Sequence, residues 1–110
     1  MNLNKKKLRP FHLAFPVNNI KNCKKWYVDI LGCTIGRESK KWVDFNFFGH
    51  QIVAHLSVSS EDSNLNVVDG YEIPVRHFGI ILEPKIWKNL HSHLESMNIE
   101  FLIKSNTRFK

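Results

Sequence analysis

Three of the six histidines lie in short apolar segments that are typical of β-strands, where imidazoles from different strands can face one cleft. They are His12, His55 and His77. Imidazole nitrogens that converge in a cleft suit Zn, Fe, Ni or Mn, and a catalytic metal keeps an open position for water or substrate. We therefore predict a divalent-metal site with His12 and His77 as ligands and His55 as a candidate third. For any one histidine, a hydrogen-bonded place in the core or at the surface is the alternative.

Two polar residues on one predicted strand are candidates for orienting such a ligand. Asp44 and Asn46 share a face with Trp42, because strand side chains alternate. Groups of this kind hold the second nitrogen of a metal-bound imidazole. The alternative is a polar, half-exposed strand face with no role in binding. The other three histidines are expected to face solvent, from a turn or a helix: His50, His91 and His93.

The elements that would position these side chains follow from the spacing of apolar residues. A strand is followed by a helix with apolar residues three or four positions apart, with Asn18 or Asn19 as its N-cap and Gly32 just after its end. Three strands then follow, the last two joined by a tight turn at Gly49–His50. The first half reads β-α-β-β-β, with strands at 10–17, 33–38, 42–48 and 51–57.

A second, shorter copy of this order follows a polar segment. Residues 59–70 are rich in Ser, Asn and Asp and predict a surface loop. The apolar run 75–82 predicts a strand that carries His77, Pro84 marks the start of a helix, and 100–104 predicts another strand. A repeated order of strand with histidine, helix and strand indicates a duplicated unit, whose second copy is incomplete.

Composition and charge exclude several function classes. The chain has 110 residues, enough for one domain, and a net charge of +6 that is concentrated near the N-terminus and on the first helix. No nucleic-acid-binding motif accompanies the basic residues, so no nucleic-acid partner is expected. No apolar run approaches the length of a membrane span, and the two cysteines make no disulfide framework. We expect a cytoplasmic protein with a small-molecule partner.

The segments PFHLAFPV, WYVDILGC, WVDFNFFGHQIVAHL and VRHFGIIL together resemble the vicinal oxygen chelate superfamily, the glyoxalase, bleomycin-resistance and extradiol dioxygenase group. The resemblance implies an α+β fold in which paired βαβββ modules form a cupped mixed sheet around one divalent metal. We expect one domain over 1–110 with the second module incomplete: module one at 8–58, a linker at 59–73 and a C-terminally truncated module two at 74–110.

The same resemblance implies a ligand set. His12 matches the first-strand ligand, His77 the fifth-strand ligand, and His55 the fourth-strand position that binds metal in lyase-like members. The last ligand is usually a glutamate on a final strand that this sequence does not contain. The implied function is a metal-dependent dioxygenase (an oxidoreductase) or lyase, using Fe, Mn, Ni or Zn on a small molecule chelated through vicinal oxygens. We expect the truncated chain to lack full activity by itself.

Two other interpretations of the same cup remain open. A binding or bleomycin-resistance-type module would sequester a small molecule and need no metal. A remnant that folds only as a homodimer would take the missing wall of the cup from a partner chain, since an incomplete module exposes a sheet edge.

Overall fold

The computed structural model describes residues 8–57, 64–68 and 71–101, with only the backbone described for 64–68 and 71–75. The chain divides into two compact units, Met1–Ser60 and Glu61–Lys110. This division falls inside the predicted linker 59–73. Each unit is described by itself below.

The first unit follows the predicted order of elements. Strand β1 (His12–Val17) leads into helix α1 (Ile20–Lys24), which continues as a π-helical segment (Lys25–Ile30). Three strands complete the unit: β2 (Thr34–Glu38), β3 (Trp42–Phe47) and β4 (His50–Leu56).

These strands form one mixed sheet in the order β1-β4-β3-β2. The last three strands pair as antiparallel neighbours, whereas β1 pairs with β4 in parallel. The helix makes this possible, because two parallel strands need a long connection between them. The predicted α+β class with a mixed sheet is confirmed, and the unit has the order of one βαβββ module.

Both predicted ends of the helix are present, but its last part is wider than expected. The Asn19 side chain accepts a hydrogen bond from the Asn22 backbone N–H at 2.8 Å, which caps the first turn. Gly32 ends the helix with φ +79°. Between them the Leu31 N–H donates to the carbonyl of Trp26, five residues back, at 3.0 Å. The spacing of apolar residues in the sequence predicts a helix here but does not distinguish a π-helical turn from an α-helical one.

The core lies between this helix and one face of the sheet. Every second residue of β3 is buried on this face: Val43, Phe45 and Phe47. Ile52 on β4 is buried as well. The Tyr27 ring stacks on Phe45 with ring centroids 4.9 Å apart. Apolar residues two positions apart on neighbouring strands thus meet the apolar face of the helix, and their removal from water stabilises the unit.

The turn between β3 and β4 lies one residue earlier than predicted. Phe48 (φ 51°) and Gly49 (φ 89°) occupy it, and His50 is the first residue of β4. Two successive positive φ angles match the tight turns that suit the twist of a hairpin. The Asn46 side chain accepts from the Gly49 N–H at 2.8 Å and holds this turn.

The second unit differs more from its prediction. Strands β5 (Asn64–Val68) and β6 (Tyr71–Val75) form an antiparallel hairpin. The predicted loop 59–70 is therefore wrong over 64–68. The predicted strand 75–82 is also wrong, because only Val75 belongs to a strand, and it is the end of β6. An apolar run alone does not make a strand, since its backbone groups need a paired neighbour.

Helix α2 (Pro84–Ser96) is confirmed, with Pro84 in its first turn. Of the strand predicted at 100–104, Glu100 and Phe101 are not in a strand, and the rest lies outside the described residues. Among the residues that the structure describes, no helix is both long enough and apolar enough to span a membrane.

Phe45→Ala should destabilise the protein by about 3–5 kcal/mol, because Phe45 is 1% exposed and its loss leaves a cavity under Tyr27. Phe11→Ala is the matched control, because Phe11 is 62% exposed and its removal leaves no cavity. Urea denaturation followed by circular dichroism measures both. Equal effects of the two substitutions would mean that the core is not where the structure places it.

Tyr27→Phe should flatten the alkaline loss of stability. Burial raises the pKa of the Tyr27 phenol from 10.0 to about 12, and the charges of Cys23 and Cys33 add to the rise. The folded state therefore holds this proton more tightly, a contribution to stability that is complete below pH 10 and lost as the pH rises through about 12. The free energy of unfolding should fall more steeply in the wild type than in Tyr27→Phe; parallel curves contradict the placement of Tyr27.

Candidate ligand-binding face of the four-stranded sheet

The face of the first unit's sheet that points away from Tyr27 carries most of the predicted site residues. We call it the distal face. Strand pairing arranges its side chains in three rows across β1, β4 and β3. From one end to the other the rows are His12–Gln51–Asn46, Ala14–Val53–Asp44 and Pro16–His55–Trp42.

A chain of hydrogen bonds fixes the imidazole of His12. Its Nδ1 lies 3.0 Å from Oε1 of Gln51, and Nε2 of Gln51 donates to Oδ2 of Asp44 at 3.4 Å. Because the Gln51 amide nitrogen faces the carboxylate, its carbonyl oxygen faces His12, and Nδ1 of His12 must carry the hydrogen. In the neutral form of the His12 ring, the lone pair is therefore on Nε2 of His12. His12 is exposed, so this nitrogen is open to a ligand.

Asp44 is the last member of this chain of hydrogen bonds, and the protein backbone holds it in place. Its carboxylate is buried, 6% exposed, and Oδ1 accepts the backbone N–H of Arg37 at 2.7 Å. Gly36 lies directly against it, since a Cβ at Gly36 would collide with Oδ1. A bulge in the β2–β3 pairing between Ile35 and Glu38 brings this backbone to the carboxylate.

Asp44 and Asn46 therefore have different partners. Asp44 is connected to His12 through Gln51, as a group that orients a ligand histidine would be. Asn46 is in the same row as His12, but its side-chain oxygen holds the β3–β4 turn. The assignment of both residues as orienting groups stays a prediction.

His55 lies on the distal face but at its other end. His12 pairs with Gln51 and His55 pairs with Pro16, so four residues of β4 separate the two histidine positions. Four strand residues cover about 13 Å. Nitrogen ligands of one ion must each lie about 2.0–2.1 Å from it, and side chains about 13 Å apart along a strand are poorly placed for this. The neighbour of His12 on the fourth strand is Gln51 and not His55. His55 as a metal ligand stays a prediction.

His77 belongs to the second unit and is exposed. It lies in the irregular segment between β6 and α2. The prediction that His77 is on a strand, as His12 is, is therefore wrong. Its role as a metal ligand stays a prediction.

The other three histidines have varied environments. His50 is half-buried, and its Nδ1 accepts the N–H of Phe11 at 2.7 Å, which ties the chain just before β1 to β4. His91 is also half-buried and stacks between the rings of Trp87 and Phe101, at 5.2 and 5.6 Å. The expectation that these two face solvent is wrong, because both make specific contacts. His93 is exposed, as expected.

The first unit has one side chain that is well suited to bind a metal ion. The Nε2 of His12 is a suitable nitrogen ligand, held by a hydrogen bond on its other nitrogen as metal-bound imidazoles are. The nearest carboxylate, Asp44, is occupied by Arg37 and Gln51. Within the described residues no three His, Cys, Asp or Glu side chains form a group that could hold an ion. The described residues of this unit therefore offer one candidate metal ligand, His12.

Sequence reasoning missed Gln51 and Arg37. Gln51 lies one residue out of the apolar run of β4, and only the β1–β4 register shows that it faces His12. If the first and fourth strands are assumed to pair in parallel, with Gly49 in the turn before the fourth strand, Gln51 becomes the expected neighbour of His12. Arg37 reaches the distal face because of the β2 bulge, which no sequence pattern marks.

Gly36→Ala should destabilise the protein by about 1–3 kcal/mol, because the new methyl group overpacks against the Asp44 carboxylate. In an Asp44→Ala background the added cost should fall below about 0.5 kcal/mol, since the collision is gone. Urea denaturation of the four proteins of this double-mutant cycle measures the coupling. Additive effects would show that Gly36 and Asp44 do not touch.

Known structures contain this arrangement of strands and helix. A glyoxalase/bleomycin resistance protein/dioxygenase from Alicyclobacillus acidocaldarius matches with a TM-score of 0.64 and 31% identity, over 81% of this chain and 63% of that protein. An integron cassette protein from the mobile metagenome of the Halifax Harbour sewage outfall matches with a TM-score of 0.62 and 21% identity, over 80% of this chain and 69% of that one.

A virulence protein from Salmonella typhimurium has the same fold at 13% identity, with a TM-score of 0.62 over 96% of this chain and 79% of that one. No protein-family model and no curated protein matches the sequence. This chain spans less than two thirds of the length of the Alicyclobacillus protein. The chain therefore has the vicinal oxygen chelate fold and is similar to a protein of the glyoxalase/bleomycin resistance/dioxygenase group.

Proposed function

We propose that this protein binds a small molecule on the distal face and that His12 is one ligand of a divalent metal ion there. The proposal depends on the hydrogen bond from Nδ1 of His12 to Gln51, because in the neutral imidazole this bond puts the lone pair on Nε2 of an exposed side chain. Metal-bound histidines are held in this way, because the bond on one nitrogen fixes the ring and directs the lone pair of the other.

His77 is the proposed second ligand, and Fe, Mn, Ni and Zn are the ions that imidazole ligands suit. His55 remains a candidate that the experiment below decides. When bound, the ion would act as a Lewis acid on a substrate that chelates it through two adjacent oxygens. The protein would then be a dioxygenase, and so an oxidoreductase, or a lyase.

The chain's own residues would do three things for such a substrate. Asp44 and Gln51 hold His12 in one orientation. Ala14 and Val53, in the middle row, would offer the substrate an apolar surface next to His12. The buried Asp44 carboxylate also stabilises positive charge that develops on the His12 ring, through the polarised Gln51 amide.

A second candidate is a metal-free binding module, of the kind the bleomycin-resistance resemblance implies. The described residues that favour it are those of the first row, which offers one imidazole and two amides and no free carboxylate. In that case His12 would accept a hydrogen bond from the ligand through Nε2. A homodimer is compatible with either candidate, because β1 is an edge strand among the described strands of its sheet and could pair with another chain.

His12→Ala should abolish stoichiometric binding of Zn²⁺ or Fe²⁺, measured by calorimetry and by elemental analysis after dialysis, because the site loses a nitrogen ligand. His55→Ala, the matched control, should bind metal as the wild type does, since its position is about 13 Å away along the strand. Gln51→Leu should weaken binding by roughly 10–100-fold, because the imidazole is no longer held.

Two results would overturn parts of this proposal. Metal binding unchanged in His12→Ala removes the metal role and leaves the metal-free module, provided that the protein still binds small molecules. Loss of metal binding in His55→Ala, with circular dichroism showing an intact fold, would contradict the register argument and make His55 a ligand.

A further inference from the structure

The end of the distal face farthest from His12 combines an aromatic ring with a guanidinium that has no ion-pair partner among the described residues. Pro16, His55 and Trp42 are opposite one another on β1, β4 and β3. The guanidinium carbon of Arg37 lies 5.8 Å from the centre of the Trp42 ring. The bulge in β2 places Arg37 over the ring, within the range of a cation–π contact.

The positive charge of this end has no acidic partner among the residues that the structure describes. Arg37 and the turn lysines Lys40 and Lys41 make no ion pair there. Two carboxylates lie beside Arg37: Glu38 is bound by Lys24 at 2.6 Å, and the buried Asp44 accepts the backbone N–H of Arg37 and the side-chain amide of Gln51. The His55 side chain is exposed and makes no hydrogen bond or ion pair to another described residue. The hydrogen-bond donors of this end are therefore available to a ligand.

We propose that Arg37, Trp42 and His55 form an anion subsite that binds the carboxylate or phosphate-type group of a small organic acid. A guanidinium presents two parallel N–H donors that match two oxygens of such a group, and stacking on Trp42 fixes the plane of the fork. The His55 imidazole supplies a further donor beside it. The rigid, apolar Pro16 and the indole ring bound the subsite and favour an anion attached to an apolar or aromatic body.

This subsite and the proposed function together define the substrate class. This substrate class rests on the proposed function: if one ligand occupies both ends of the distal face, its anionic group lies about 13 Å from the group that meets His12. Ala14 and Val53 lie between the two ends and offer only apolar surface. The substrate class is thus an elongated organic acid whose chelating oxygens are remote from its acidic group. The anion subsite itself depends only on the contacts of Arg37, Trp42 and His55.

Titration of the metal-free full chain tests the subsite without reference to metal. Terephthalate and inorganic phosphate are the two probes, and the indole N–H signal of Trp42 in a nitrogen-15 correlation spectrum, assigned with Trp42→Phe, is the readout. We expect a saturable shift of that signal with at least one probe. Saturation by terephthalate alone identifies a carboxylate attached to an aromatic body, and saturation by both identifies any oxyanion; either supports the subsite.

The variants separate a formed subsite from general charge. Arg37→Gln should weaken binding by about tenfold or more, because it removes charged hydrogen bonds. Arg37→Lys should recover part of the loss by keeping the charge without the fork. Lys40→Gln, the charge-matched control, should stay within about twofold of the wild type, since Lys40 does not contact Trp42.

Two outcomes overturn the proposal: no saturable shift with either probe, or equal weakening by Arg37→Gln and Lys40→Gln. Its failure is distinguishable from that of the proposed function. His12→Ala should bind both probes as the wild type does, and Arg37→Gln should bind metal as the wild type does.

Discussion

The register of the parallel pair β1–β4 is the constraint on which the rest of the distal face depends. It places His12 opposite Gln51 and Pro16 opposite His55, so one end of the face carries an oriented imidazole and the other an aromatic, cationic group. A shift of one residue would reverse the faces of β4 and bury Gln51 in the core. The apolar residues Ile52 and Ala54, which are 2% and 0% exposed, hold the register against such a shift.

Asp44 has a role that connects core and site. A buried carboxylate is costly unless its oxygens are hydrogen-bonded, and the bulge at Gly36 brings the Arg37 N–H to it while Gln51 meets the other oxygen. The same bulge turns the Arg37 side chain over Trp42. One irregularity in an edge strand thus organises both the support of His12 and the proposed anion subsite.

The sequence predicted most of the first unit, because its apolar periodicities, the Asn19 cap and Gly32 agree with one another. It did not predict which residue lies beside His12, because a neighbour on another strand depends on register, and periodicity does not contain register. The second unit was predicted less well: the apolar run that carries His77 is in a strand only at Val75, and residues 64–68, inside the segment predicted as a loop, pair as β5. In the described part of this unit, strand pairing and not local composition decides which residues form strands.

The protonation of the His12 ring shows whether Gln51 orients the imidazole. Two-bond proton–nitrogen correlation spectra of the metal-free protein, recorded above pH 8 so that the imidazoles are neutral, distinguish the two ring nitrogens. We expect hydrogen on Nδ1 of His12 and none on Nε2, with this pattern lost in Gln51→Leu. Hydrogen on Nε2 in the wild type would contradict the orienting hydrogen bond, and with it the role given to His12.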